Sequence, residues 1–146
     1  MKIEINNPEL KLDVRGYSGT AINKNYIATG FSLMDKTWQT IRLNNLKHKG
    51  LNIWIYEPDE KVFAGVELED NSKDDTGLEK KSIALVNYAR YKHIGPYDKI
   101  KKAGENMKNE LKSRGFEIEF PYIEIYGHWN NDETKLETEL IMALKK

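Results

Sequence analysis

Apolar and polar residues alternate along the chain, then cluster at every third and fourth position, then alternate again, and the whole pattern occurs twice. Ile3-Glu4-Ile5 and the run from Leu10 to Val14 read as extended segments. Gly16-Tyr17-Ser18-Gly19 reads as a turn. From Ser32 to about Leu46, the residues Leu33, Met34, Thr37, Trp38 and Ile41 fall on one helical face. His48-Lys49-Gly50 then supplies basic residues and a glycine, which predicts the end of that helix and assigns His48 to its dipole. Asn52–Glu57 and Val62–Glu69 predict a hairpin around Pro58-Asp59-Glu60. The polar stretch from Asn71 to Lys81 predicts a surface loop between the two halves.

The second half follows the same grammar. Ser82 to His93 predicts one long strand, broken by Gly95-Pro96. Ile100, Ala103, Met107 and Leu111 share a helical face, and Arg114-Gly115 closes that helix. Pro121–Gly127 and Leu136–Leu144 predict a second hairpin joined by residues 128–134. The expected fold is therefore α+β: a duplicated β-α-β-β unit with pseudo-twofold symmetry, antiparallel sheets and two main helices around a central ligand groove. Residues 1–146 form one domain, with repeat 1 at about 1–72 and repeat 2 at about 80–146. The glycines closing the two helices, Gly50 and Gly115, lie 65 residues apart, whereas Ile53-Trp54-Ile55-Tyr56 and Ile123-Glu124-Ile125-Tyr126 lie 70 apart. That difference predicts about five extra residues between helix and strand in the second copy.

Composition narrows the functional classes. Lys+Arg and Asp+Glu both number 23. Up to Gly77 there are 10 basic and 12 acidic residues, and 13 and 11 follow. Neither half carries the positive excess of a phosphate-backbone footprint, so direct nucleic-acid binding is not expected. Cysteine is absent, which removes disulfides, thiolate nucleophiles and Cys-ligated zinc. The three histidines, His48, His93 and His128, are far apart and lack metal-ligand spacing, so no metal or cofactor is expected. No signal peptide or membrane span is apparent, and the expected location is cytoplasmic. Nucleophile-elbow and phosphate-loop motifs are missing. Three Trp, eight Tyr and four Phe are ample to line an apolar pocket.

Strand alternation puts Glu124 on the opposite face from Ile123 and Ile125, together with Tyr122 and Tyr126. A carboxylate buried there without a partner is costly to charge, and a bound cation would offset that cost. Aromatic faces would add cation–π attraction of roughly 0.5–2 kcal/mol each. Trp54 is the pseudo-symmetric counterpart of Glu124; it is either the second wall of a groove or a core residue against the first helix. Tyr56 and Tyr126 form another symmetric pair. Trp38 is a core residue or a pocket contact, and Trp129 sits in a hairpin loop that could overhang the groove. Tyr88 and Tyr91 have opposite parities on one strand, and Tyr88 is taken as the one facing the groove. Glu67 and Glu139 are read as solvated strand charges, and His93 as part of the strand-to-helix turn. The candidate ligand-binding set is thus Glu124, Trp54, Tyr56, Tyr88, Tyr126, Trp38 and Trp129.

The stretch Tyr88-Ala89-Arg90-Tyr91-Lys92-His93-Ile94-Gly95-Pro96-Tyr97 resembles the Y-A-x-F-x-H-x-G-P-Y signature of the GyrI-like (AraC effector-binding) family. Pro121-Tyr122-Ile123-Glu124-Ile125-Tyr126 resembles its P-x-x-E-I-Y strand, and Gly30-Phe31-Ser32 followed by Thr37-Trp38-Gln39 its first helix. The resemblance spans nearly the whole chain and implies the duplicated fold. It implies a stand-alone member, since two complete halves leave no room for a helix-turn-helix module. It also implies a pocket in which the glutamate matching Glu124 contacts cationic lipophilic ligands. The expected partner is an aromatic or cationic small molecule. Two other family activities stay open: hydrolysis of cyclopropane rings in DNA-alkylating compounds, with Glu124 as the catalytic residue, and modulation of a protein partner such as gyrase.

Overall fold

A computed structural model describes residues 1–5, 8–69 and 76–146. Eight strands are present: β1 (Glu4–Ile5), β2 (Leu10–Thr20), β3 (Asn52–Glu57), β4 (Lys61–Val66), β5 (Glu79–Leu85), β6 (Tyr88–Ile94), β7 (Ile118–Tyr126) and β8 (Glu137–Leu144). Helix α1 (Tyr26–Leu43) follows β2, and α2 (Ile100–Ser113) follows β6. The strands form one antiparallel sheet in the order β1-β6-β8-β7-β3-β4-β2-β5. The two halves meet at β3 and β7, where Ile53 pairs with Ile125, Trp54 with Glu124 and Ile55 with Ile123.

Alternation along these strands divides the core between two faces. Ile53, Ile55, Ile123, Ile125 and Ile141 point to one side, where they pack with Leu10, Leu12, Val14, Phe63, Ile83 and Tyr88. The other side carries the helices. Met34 and Ile41 of α1 pack on Trp54, Ala64 and Val66, while Ile100, Ala103, Met107 and Leu111 of α2 pack on Ala89, Leu140 and Met142. Only Val86 and Asn87 separate β5, at one edge of the sheet, from β6, next to the other edge. So short a connection forces the sheet to curl until its ends approach, on the face away from the helices.

Several predicted elements differ from the structure. The glycines at 16–19 make no turn; they lie within β2, and Gly16 pairs with Gly65 of β4. A Cβ on Gly16 would come within 2.6 Å of the Gly65 Cα, so these glycines serve close backbone approach. Helix α1 begins at Tyr26 rather than Ser32, and Gly30 within it stands against the Trp54 ring, where a side chain would collide. It ends at Leu43, not near Gly50. Asn45 takes the left-handed conformation (φ 51°), and the Leu46 N–H donates to the Ile41 carbonyl. Gly115 (φ 84°) and Phe116 do the same for Leu111 at the end of α2, so both helices close with the same Schellman motif. His48 lies beyond that cap and packs edge-on against Trp38 at 4.6 Å instead of serving the helix dipole. Asn45 and Gly115 are 70 residues apart, as are Trp54 and Glu124, so no insertion separates helix from strand in the second copy. The extra residues fall in the second hairpin: Ile53 pairs with Gly65, 12 positions on, but Ile123 pairs with Ile141, 18 on. The single strand predicted from Ser82 to His93 is two, β5 and β6, on different neighbours. Of the loop predicted from Asn71 to Lys81, residues 71–75 lie outside the described residues, and Glu79–Lys81 belong to β5.

Candidate functional site

Because β3 and β7 pair in register across the symmetry centre, Trp54 and Glu124 stand directly opposite each other on the helix-bearing face. The pseudo-twofold that carries residue 54 onto 124 maps this pair onto itself. A duplicated sequence would place two like side chains there; this chain has an aromatic ring and a carboxylate.

Glu124 is buried, at 6% exposure. Its Oε1 accepts hydrogen bonds from the phenols of Tyr56 at 2.9 Å and Tyr126 at 2.7 Å, and its Oε2 accepts from Tyr122 at 2.7 Å. A buried carboxylate is tolerated only when its lone pairs are met by donors, and three short phenolic bonds do this. They supply dipoles, not charge. Among the described residues no Lys, Arg or His forms an ion pair with Glu124. Burial, and then the neighbouring Glu124 charge, push the phenols of Tyr56, Tyr122 and Tyr126 well above the usual tyrosine range.

Aromatic rings enclose this cluster. Tyr56 and Tyr122 stack with centroids 5.3 Å apart, Tyr26 meets Tyr56 edge-on, and Trp54 meets Tyr126 edge-on at 5.5 Å. Phe31 from α1 packs on Trp54, and Tyr97 from the turn before α2 packs on Tyr126. Phe31 and Tyr97 nonetheless remain 60% and 41% exposed. They form a solvent-facing apolar rim over a charged centre. Surface cavities of about 500 and 360 Å³ lie away from these rings, one along Asn44–Lys47 with Leu68, Glu69 and Thr76, the other along Lys11–Asp13 with Glu67 and Ser82–Ala84.

Of the predicted residues, Glu124, Trp54, Tyr56 and Tyr126 come together. Tyr88 does not: it lies on the opposite face, 1% exposed, with its hydroxyl donating to the Pro8 carbonyl. Tyr91, its neighbour of the other parity, is the one on the helix side. Trp38 borders the first-half core and donates to Asn52 Oδ1 at 3.0 Å. Trp129 is 73% exposed in its loop and makes no ring contact with the chamber. His93 lies near the end of β6 and reaches the strand-to-helix turn, with Nε2 3.3 Å from the Pro96 carbonyl oxygen. Glu139 faces Arg90 at 3.6 Å. Tyr122, Tyr26, Phe31 and Tyr97 were missed. Strand parity already put Tyr122 beside Glu124. Tyr26 and Phe31 fell before the predicted start of α1, and so outside any helical face.

Glu124 is thus buried with three phenolic donors and, among the described residues, no ion-pair partner. Among the described residues no cluster of His, Asp and Glu could hold a metal ion. No helix among them is long and apolar enough to cross a membrane.

A family model for the GyrI-like small molecule binding domain matches residues 17–145. Among solved structures, the C-terminal domain of EcmrR superposes with a TM-score of 0.74 at 17% identity, covering 99% of this chain and 98% of that one. SAV2435 bound to tetraphenylphosphonium superposes at 0.65 and 19% identity, covering 99% and 94%. A hydrolase from Listeria innocua superposes at 0.54 and 10% identity, covering 99% and 92%. At these identities the likeness is one of fold. Among curated proteins no relative matches the chain in sequence.

Proposed function

The chain belongs to the GyrI-like small molecule binding domain family, and on that premise we propose that it binds a lipophilic aromatic cation at Glu124. The observation that carries the reading is a buried carboxylate held by three phenols with no cationic partner among the described residues. A delocalised organic cation supplies the missing charge without the large dehydration cost of a compact ammonium. The faces of Trp54, Tyr56, Tyr122 and Tyr126 would add dispersion and cation–π attraction. The fold-neighbour that holds tetraphenylphosphonium supports this ligand class.

The rings around Glu124 pack on one another, so a ligand that reaches the carboxylate must part them. Phe31 and Tyr97 are the exposed pair at the mouth, and the path runs between α1 and the turn that leads into α2. Sensing, sequestration or protection from a toxic cation would each use the same event.

Tryptophan fluorescence of the wild type and Glu124→Gln, titrated with tetraphenylphosphonium, tests this. Saturable quenching that the variant loses by about tenfold or more in affinity, equivalent to about 1.4 kcal/mol, is the expected result. Equal affinity in both proteins would remove Glu124 from the site. The second reading, hydrolysis with Glu124 as general base, draws on the shared fold with the Listeria hydrolase. It predicts breakdown products from a cyclopropane-bearing substrate that Glu124→Gln fails to form.

A further inference from the structure

On the two central strands one buried side-chain polar atom has no partner among the described residues: the indole Nε1 of Trp54. Trp54 is only 5% exposed, so bulk solvent does not reach this donor. Buried donors are almost always paired, and an unpaired one at a binding site calls for an explanation. Packing alone does not provide it, since a phenylalanine would fill an apolar slot without burying an N–H.

The orientation of the ring is informative. Its six-membered edge faces α1: a Cβ at Gly30 would lie 2.6 Å from Cη2 and 2.7 Å from Cε3. The indole is rigid, and its N–H is on the far side from that edge. The donor therefore points away from Gly30, and Glu124 is the direct cross-strand neighbour of Trp54. The Tyr126 ring, 5.5 Å away and nearly edge-on, offers at most a weak π acceptor. Directly paired antiparallel residues have Cβ atoms roughly 5 Å apart, so the anion and the free donor lie within the span of one small molecule.

We infer that Trp54 is a specificity residue, and that the cognate ligand is a lipophilic cation bearing a hydrogen-bond acceptor, such as a carbonyl, ether or ring nitrogen, near its charged centre. The inference rests on the reading of Glu124 as the cation site and narrows it. Glu124 selects for positive charge, the rings select for aromatic surface, and the indole N–H selects for the acceptor. A purely hydrocarbon cation leaves the indole donor unpaired on binding. An acceptor-bearing one satisfies it.

Two matched probes separate these contributions: (4-phenylbenzyl)trimethylammonium, without an acceptor, and (4-benzoylbenzyl)trimethylammonium, which inserts a carbonyl between its rings. The expected result is roughly 3- to 10-fold tighter binding of the benzoyl compound by the wild type, the worth of one neutral hydrogen bond. That preference disappears in Trp54→Phe. Independently of how that variant folds, the three indole N–H signals of ¹⁵N-labelled wild type are assigned with Trp38→Phe and Trp129→Phe. The Trp54 proton is expected to move downfield with the benzoyl compound only. Equal affinities and an unmoved Trp54 signal, with both probes still dependent on Glu124, would overturn the donor role and leave the cation site intact. A benzoyl preference that survives in Trp54→Phe would also overturn it. Failure of both probes to bind the wild type would overturn both readings.

Discussion

At the scale of the residue, the site depends on what surrounds one carboxylate. Tyr122 is the donor to Glu124 Oε2, so Tyr122→Phe leaves that oxygen buried without it. A hydrogen bond to a charged group is worth about 1.5–3 kcal/mol, and urea unfolding should show a loss of that size. In a Glu124→Gln background the same substitution should cost less than about 1 kcal/mol, since the two residues act as a unit. The phenols also set an alkaline limit. Tyr56, Tyr122 and Tyr126 are raised by burial first and by the Glu124 charge second, so the fold favours their protonated forms. Their contribution is intact below the ordinary tyrosine value of about 10 and declines as pH rises above it, because the unfolded chain then ionises where the fold resists. Absorbance at 295 nm should show Tyr56, Tyr122 and Tyr126 ionising only together with unfolding. Glu124 itself was legible from strand parity in Ile123-Glu124-Ile125, because a period of two fixes the face. The same parity put Tyr122 and Tyr126 on its face, but the Tyr56 bond was not legible: Tyr56 arrives from a strand 68 residues away, and only the register of β3 on β7 brings it there.

At the scale of the element, α1 is shaped around Trp54. Gly30 stands against the indole ring, and a methyl group there would collide with it. Gly30→Ala should gain about 1 kcal/mol of helix propensity and lose more to overpacking, so the melting temperature should fall. The Trp54 contribution to near-ultraviolet dichroism should change with it; a rise in melting temperature would mean that the ring has room to yield. The same glycine hid the start of α1 from sequence reading, since Gly-Phe-Ser is poor helix grammar whose reason is a partner on another strand. Helix α2 has no such conflict, and its buried face of Ile100, Ala103, Met107 and Leu111 followed directly from periodicity. Its closing glycine was legible too. The matching cap on α1 was not, because asparagine also adopts the left-handed conformation and Gly50 sat nearby as a more familiar signal. Tyr88 was misplaced for a related reason. Its strand ends at Ile94, but nothing local indicates which parity faces the helices.

At the scale of the whole molecule, the duplication makes two half-sites and a shared core. The cluster on the face away from the helices joins Leu12, Val14 and Phe63 of the first half to Tyr88, Ile123 and Ile141 of the second. Neither half can bury that surface alone, so a chain divided after Gly77 should give two unfolded pieces by circular dichroism. The intact protein should lose helix signal and tryptophan fluorescence in one coincident transition. The repeat itself was readable from the recurring order of elements, whereas the curl of the sheet was not, because it follows from the two-residue link between β5 and β6. At the seam, symmetry is broken by chemistry, with Trp54 facing Glu124, and there the protein should meet its ligand. A crystal structure of the complex with tetraphenylphosphonium tests this most directly. The phosphorus centre should lie beside the Glu124 carboxylate, with phenyl groups among Trp54, Tyr56 and Tyr126 and the phenol-carboxylate bonds rearranged. A ligand seated instead in the cavity along Asn44–Lys47, with Glu124 still held by all three tyrosines, would contradict it.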